Sequence, residues 1–303
     1  MASAFASLPN RVTVVEVGPR DGLQNESASI PTAVKVAFVN ALSEAGLPVI
    51  EVTSFVRPDA IPQLADAEDV MREIERRPGV RYPVLVPNLR GFERALGAGV
   101  HEIAVFTAAS ETFAARNINA TIAESLERFK PVIERAKTQQ MRVRAYVSTC
   151  FGCPYEGEVK PQAVLEVAGE LIDLGVDEIS LGDTIGVATP RQVADLCQLV
   201  LRRIDSGRLA LHFHDTRGTA LANVVAGLQS GIAIFDASAG GLGGCPYAPG
   251  AAGNLATEDL IYMLDGMGIG TGVNLDRVVQ ASLLIAGHLD HGLTSKYFQA
   301  ATS

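Results

Sequence analysis

Four times along the chain a glycine is followed by an aliphatic residue, two variable residues and a short apolar run. The segments are 46–52, 99–105, 175–181 and, more loosely, 231–237. Each follows an amphipathic stretch, and glycine at that place suits a helix C-cap ahead of a buried strand. Between them lie four more β-rich runs that begin near an arginine: 11–17, 81–86, 142–148 and 208–214. Helical patterns separate the runs, at about 32–44, 64–76, 89–97, 121–139, 161–174, 190–204, 221–230 and 257–267. Strict βα alternation predicts a parallel sheet, and eight units predict its closure into a (β/α)₈ TIM barrel. A doubly wound open sheet fits less well, because no Gly-x-Gly-x-x-Gly follows the first strand. The expectation is one catalytic domain over residues 1–303, with the barrel at about 11–267. An extra C-terminal helix at about 275–289 belongs to an extension over about 273–303.

A chain of 303 residues, 48% hydrophobic and 19% charged, fits one such barrel and buries a core that needs no disulfides. Its four cysteines are too sparse for a secreted disulfide scaffold, which predicts a reducing, cytoplasmic setting. The first ten residues carry no basic or apolar leader pattern and no arginine. No apolar run reaches the ~18 residues of a membrane span. A net charge of −9, with no Lys/Arg cluster, speaks against nucleic-acid binding.

Barrel enzymes carry their chemistry at the C-terminal ends of the strands and in the loops beyond. Reactive side chains collect there: Arg20 and Asp21, Glu51 and Ser54, Asn88, Tyr146 and Ser148, Asp183, then His212 and His214. The glycine-rich loop 240–254 follows the eighth strand. In a strand, residues i and i+2 share a face, so both imidazoles point to the barrel axis. They can hold one divalent cation or form a hydrogen-bonded core pair. Asp21 favours the first reading, because strands 1 and 8 are neighbours and strand 7 is next. Asn254 offers a carbonyl oxygen. One carboxylate, two imidazoles and an amide leave octahedral positions open and suit Mg²⁺ or Mn²⁺, with Zn²⁺ and Co²⁺ as alternatives.

Two segments carry a resemblance. Val17-Gly-Pro-Arg-Asp-Gly-Leu-Gln-Asn-Glu26 and Gly241-Leu-Gly-Gly-Cys-Pro-Tyr-Ala-Pro-Gly-Ala-Ala-Gly-Asn254 resemble the signatures of the 3-hydroxy-3-methylglutaryl-CoA lyase family. The likeness continues through Ile50-Glu-Val-Thr-Ser-Phe55, Asn117-Ile-Asn119, Gly152-Cys-Pro-Tyr-Glu-Gly157, Gly182-Asp-Thr-Ile-Gly186 and Asn254-Leu-Ala-Thr-Glu-Asp259. Related condensing synthases and biotin carboxyltransferases share the Arg-Asp pair and His-x-His but usually lack the Cys-Pro-Tyr loop.

The resemblance implies metal binding at Asp21, His212, His214 and Asn254, and catalysis by Arg20, Glu51, Asp183 and Cys245. It implies an acyl-CoA substrate cleaved to acetyl-CoA and acetoacetate, hence leucine degradation and ketone-body formation, in a homo-oligomeric enzyme (dimer or tetramer). On this reading Arg20 donates to the thioester oxygen as it becomes an enolate, and Asp183 is the base, with the groups behind the histidines as alternative, or else a helix cap. Glu51, a charge in an apolar strand, orients Arg20 or a ligand. Cys245, in a loop that glycines leave free to close, protonates carbon or packs the loop. Ser54, Tyr146 and Ser148 line the acyl pocket or bond within the barrel. Cys150 and Cys153 form a Cys-x-x-Cys with no second pair, which disfavours zinc and leaves redox chemistry improbable. The segment 293–297 is placed to fold over the mouth with Lys296 near CoA. The family often has cysteine between the two histidines and tyrosine after His-Asp-Thr; this chain has Phe213 and Arg217. The Arg217 cation near the mouth leaves room for a related substrate such as citramalyl-CoA.

Overall fold

The computed structural model describes residues 8–244 and 253–303. Its parallel strands are β1 (Thr13–Glu16), β2 (Val49–Ile50), β3 (Val84–Leu85), β4 (Glu102–Ala108), β5 (Arg142–Ser148), β6 (Glu178–Asp183), β7 (Leu209–Phe213) and β8 (Ile234–Ala237). Between them run helices α1 (Thr32–Glu44), α2 (Ala67–Glu73), α3 (Leu89–Gly97), α4 (Glu111–Ile118) and α5 (Ile122–Thr138). The set continues with α6 (Pro161–Asp173), α7 (Pro190–Val200), α8 (Ala220–Gln229), α9 (Thr257–Gly266), α10 (Leu275–Ala286) and α11 (Lys296–Ala301).

Strands pair in the order β2-β1-β8-β7-β6-β5-β4-β3. The seam between β2 and β3 is closed by bridges Val49–Arg81 and Ser54–Leu85, with Ile50 N donating to Arg81 O at 3.0 Å and Phe55 N to Leu85 O at 2.8 Å. The barrel is therefore complete. Its two shortest strands are flanked by Pro48, Pro83 and Pro87, which have no N–H to extend a ladder.

The glycine repeat has the backbone reason expected of it. Gly46, Gly99, Gly175 and Gly231 have φ of 91°, 72°, 97° and 84°, the left-handed cap where a Cβ is strained. Other boundaries follow local chemistry too. Thr121 and Glu124 form a capping box on α5, and Pro161 and Pro190 open α6 and α7. The stretch expected as one helix at 64–76 divides into a tight turn at Pro62–Leu64 and the shorter α2. Helix α4 was not expected. It is capped by Ser110 Oγ on Phe113 N and ends at Asn119 with φ 49°. The extension contains α10, packed on α1 and α9, and the additional α11. No helix among the described residues is long and apolar enough to cross a membrane.

Most of the apolar core lies between strands and helices. Inside the barrel are two small apolar clusters, Val15-Val17-Val49 and Leu85-Ala104-Tyr146. The rest of the interior departs from the usual branched aliphatic filling: Glu51, Arg144, Glu178 and Asp236 are all 2% exposed or less. That charged interior positions the site.

Candidate active site

After β1 the chain makes one wide helical turn over Gly18–Gly22, in which Asp21 N and Gly22 N both donate to Val17 O, at 2.7 and 3.2 Å. Glu16 braces it: Oε1 accepts from Gly18 N at 2.8 Å and Ala239 N at 2.9 Å, and Oε2 from the Thr257 hydroxyl at 2.7 Å. A Cβ on Gly18 would meet Glu16 Oε1 at 2.6 Å, so glycine is required for the close approach. The turn sets Arg20 and Asp21 side by side at the mouth. Arg20 donates from Nε to Glu51 Oε2 and from Nη1 to Asp21 Oδ1, both at 2.6 Å, with its guanidinium 5.2 Å from the Tyr146 ring centre. Tyr146 OH also donates to Glu51 Oε2, at 3.0 Å. No described residue accepts from Arg20 Nη2. Burial opposes the Arg20 charge, but Glu51 and Asp21 keep it firmly protonated.

Asp21, His212 and His214 offer ligand atoms that all lie within 4.8 Å of one another. Asn254 is joined to them, its Nδ2 donating to Asp21 Oδ2 at 2.9 Å and to Leu242 O at 3.1 Å. Its Oδ1 is buried with no hydrogen-bond partner, as are His212 Nδ1 and His214 Nδ1. Buried polar atoms are seldom left unpaired, and three of them in one carboxylate–imidazole–amide cluster fit a divalent cation. Electrostatics agree. Burial resists ionisation of Asp21, yet Arg20 and the histidines pull its carboxyl down to about 2. Burial, with His212 adding to it, pushes His214 down to about 3, so its imidazole is neutral and able to ligate. Burial also acts against charge on His212, but Asp236 behind it reverses the balance and raises its pKa.

The cluster forms the floor of a cavity of about 780 Å³. Tyr146, Ser148, Thr184 and Asn88 line its walls; Asn88 also caps α3, accepting from Gly91 N at 3.0 Å. Farther out the lining includes Arg57, Arg116 and Arg128 beside Phe113 and Ile118. An acidic protein thus has a basic rim on this cavity, which the sequence did not single out.

Several expected site residues lie elsewhere. Asp183 is fully buried, its Oδ1 accepting from Val187 N at 2.9 Å and its Oδ2 from Ala188 N at 3.0 Å, and it does not line the cavity. Gly182 faces the interior, so the next residue on the strand points away. Asp183 thus holds the loop after β6 through both carboxylate oxygens. Ser54 sits at the β2–β3 seam with its hydroxyl buried, outside the cavity lining. Arg217 donates to Ile185 O at 2.7 Å and Gly186 O at 3.1 Å, pinning a loop instead of presenting charge to the mouth. The tail at 293–297 docks on the stem of the glycine loop: Thr294 N and Ser295 N donate to Gly240 O at 3.0 and 3.1 Å. Lys296 does not line the cavity. Cys150 and Cys153 are separate buried thiols, bonded to Val147 O and Ser110 Oγ. Cys245 lies outside the described residues.

Sequence reasoning missed Asp236 and Arg144. Asp236 accepts from Arg144 Nη2 at 2.5 Å and Ser180 Oγ at 2.7 Å, and its Oδ2 lies 3.3 Å from His212 Nδ1. Alternation along β5 and β8 places both inward, which was the available signal.

Fold and site together define a (β/α)₈-barrel enzyme in which a carboxylate–imidazole cluster able to hold a metal ion sits beside a buried arginine. The HMGL-like family model matches residues 11–285, and the chain belongs to that family of carbon–carbon lyases. It is 53% identical to the mitochondrial hydroxymethylglutaryl-CoA lyase of Rattus norvegicus, over 98% of this chain and 92% of the relative. The crystal structure of the Bacillus subtilis HMG-CoA lyase superposes with a TM-score of 0.96 at 51% identity, covering 98% of this chain and 99% of that one. An Acinetobacter baumannii HMG-CoA lyase, solved with coenzyme A and 3-methylmalate, gives a TM-score of 0.91 at 40% identity, covering 99% and 96%.

Proposed function

We propose that the protein cleaves 3-hydroxy-3-methylglutaryl-CoA to acetyl-CoA and acetoacetate. The observation that carries the reading is the juxtaposition of Arg20, with Nη2 unclaimed by any described residue, and the Asp21-His212-His214 cluster on one cavity floor. Retro-Claisen cleavage makes two demands. The tertiary hydroxyl must pass its proton to a base, in this reading Asp183 or the groups behind the two histidines, and the electrons of the broken C2–C3 bond must settle on the thioester oxygen. Asp21, His212, His214 and Asn254 would hold a divalent cation, Mg²⁺ or Mn²⁺ in this reading, which would supply the Lewis acidity that acidifies the substrate hydroxyl.

Arg20 supplies the second element. Its guanidinium is fixed by Glu51 and Asp21 and cannot swing, so its remaining N–H groups form a pre-set donor for the enolate oxygen. Glu51 and Tyr146 hold that orientation from below, and Tyr146 and Ser148 face the acyl group. Arg57, Arg116 and Arg128 at the rim suit the phosphates of CoA, and Phe113 and Ile118 its apolar arm. Cys245 is assigned the proton donated to carbon, on the likeness of its loop to the lyase signature. The family structure solved with coenzyme A supports the class of substrate. The sparse cysteines are read as a reducing, cytoplasmic setting, and the products would place the enzyme in leucine degradation and ketone-body formation.

The test is direct. Purified protein with Mn²⁺ or Mg²⁺ is incubated separately with methylglutaryl-CoA and citramalyl-CoA, and the released keto acid is identified by mass. Acetoacetate from the first supports the reading; turnover of citramalyl-CoA alone, giving pyruvate, overturns it in favour of the related lyase.

A further inference from the structure

We propose that Asp236 is a positioning residue of the metal centre, fixing the orientation of His212 and tying that ligand to Arg20 through the barrel interior. The inference rests on the metal site of the proposed function and adds a residue that the family signatures do not contain.

The placement begins with register. His212 and Asp236 are direct partners across β7 and β8, so both side chains leave neighbouring strands toward the axis. Asp236 Oδ2 lies 3.3 Å from His212 Nδ1 and accepts the Ser180 hydroxyl at 2.7 Å. A carboxylate at Nδ1 favours the tautomer with its proton there and leaves Nε2 a lone pair for the ligand side. Both Nδ1 atoms are buried outside ideal hydrogen-bond geometry, but among the described residues only that of His212 has a carboxylate oxygen within ion-pair distance. That carboxylate is the difference between the two histidines.

Asp236 is itself held. Its Oδ1 takes Arg144 Nη2 at 2.5 Å, and Arg144 Nε lies 3.0 Å from Glu178 Oε1. The Arg144 guanidinium carbon lies 5.0 Å from the centre of the Tyr146 ring, whose hydroxyl bonds Glu51, the partner of Arg20. A continuous buried path thus runs from His212 through Asp236, Arg144, Tyr146 and Glu51 to Arg20. Strands β5 and β8 are not neighbours in the sheet, so the Arg144–Asp236 contact crosses the interior and fixes its width there. An ion pair that served stability alone would need no contact with His212.

Asp236→Asn tests this, because it keeps the shape and removes the charge. Mn²⁺ binding is titrated without substrate by electron paramagnetic resonance, with thermal melting alongside. A folded variant whose Mn²⁺ affinity is 10–100-fold weaker is expected, the range for losing a ligand's supporting carboxylate. A folded variant with wild-type affinity overturns the proposal. Should Asp236→Asn fail to fold, Ser180→Ala decides: it removes one hydrogen bond from Oδ2 and leaves every charge paired. A several-fold loss of Mn²⁺ affinity supports the proposal, and unchanged affinity rejects it. Wild-type protein that binds Mn²⁺ yet cleaves no hydroxyacyl-CoA would reject the proposed function while leaving the role of Asp236 open to this same titration.

Discussion

Arg20 and Glu51 meet through a 2.6 Å hydrogen bond from Nε, between side chains 7% and 0% exposed. A buried cation facing one carboxylate at Nε and another at Nη1 is costly to place unless orientation is its purpose. Arg20→Lys keeps the charge but loses the fork that reaches Glu51, Asp21 and substrate together. The expected loss in kcat is on the order of 10²–10³, the effect of removing one oxyanion donor, with KM much less affected. Steady-state kinetics on the variant check it. Near-normal kcat with a raised KM would mean that Arg20 only holds the substrate.

The metal cluster gives a second expectation. His214 is uncharged at neutral pH and has an unpaired nitrogen, so His214→Ala removes a ligand without leaving a buried charge. Activity should vanish and bound Mn²⁺ fall sharply, as measured by metal analysis after gel filtration. EDTA should inactivate the wild type, and added Mn²⁺ should restore it. Full activity after exhaustive dialysis against chelator would remove the site assignment.

Much of this was legible in the sequence because it follows from local rules. The left-handed glycines at 46, 99, 175 and 231 announced the βα rhythm, and His212 and His214 declared a shared face by spacing alone. Asp21 needed only the adjacency of strands 1 and 8. The burial of Asp183 beneath the loop after β6 was readable from alternation alone, since it faces away from Gly182. Asp236 and Arg144 escaped notice because they meet each other 92 residues apart in the chain, across strands that are not neighbours. Helix α4 was hidden by its length, since so short a segment owes its form to the Ser110 cap and to packing. The basic rim escaped for a similar reason: Arg57, Arg116 and Arg128 belong to different segments and converge only in space.

The thiols give a third expectation. Cys150, Cys153 and Cys197 are at most 3% exposed, and burial pushes Cys197 up to about 12 and Cys150 higher still. Reagents that attack thiolates should therefore leave these three largely unmodified in native protein. If Cys245 delivers the proton, iodoacetamide should inactivate the enzyme with a single modified peptide containing that residue, and substrate should protect. Cys245→Ser should lose most turnover and keep its Mn²⁺ affinity, because serine holds its proton far more tightly. Turnover of that variant near the wild-type rate would assign the proton to another donor.

The last expectation concerns pH and a carboxyl away from the cavity. Glu258, at the start of α9, is wholly buried; its oxygens accept from Gly240 N at 2.8 and 3.0 Å and from Ser282 Oγ at 2.5 Å. Burial raises its pKa from 4.5 to about 7, against the lowering effect of those donors. Between these two values the unfolded chain has released the proton and the native protein retains it. The native state thus binds more protons, and stability falls as pH rises through that window. The contribution is fully present below 4.5 and is lost above about 7. Glu16, raised to about 7 as well, adds a slope of the same sign. Glu258→Gln cannot titrate, and its amide can still offer Oε1 to Gly240 N and a donor to Ser282. Melting temperatures of the two proteins across this range should therefore diverge, the wild type losing ground to the variant as pH rises and the gap levelling off beyond about 7. Parallel curves for wild type and variant would show that Glu258 is ionised in the native protein throughout, with its hydrogen-bond donors outweighing burial.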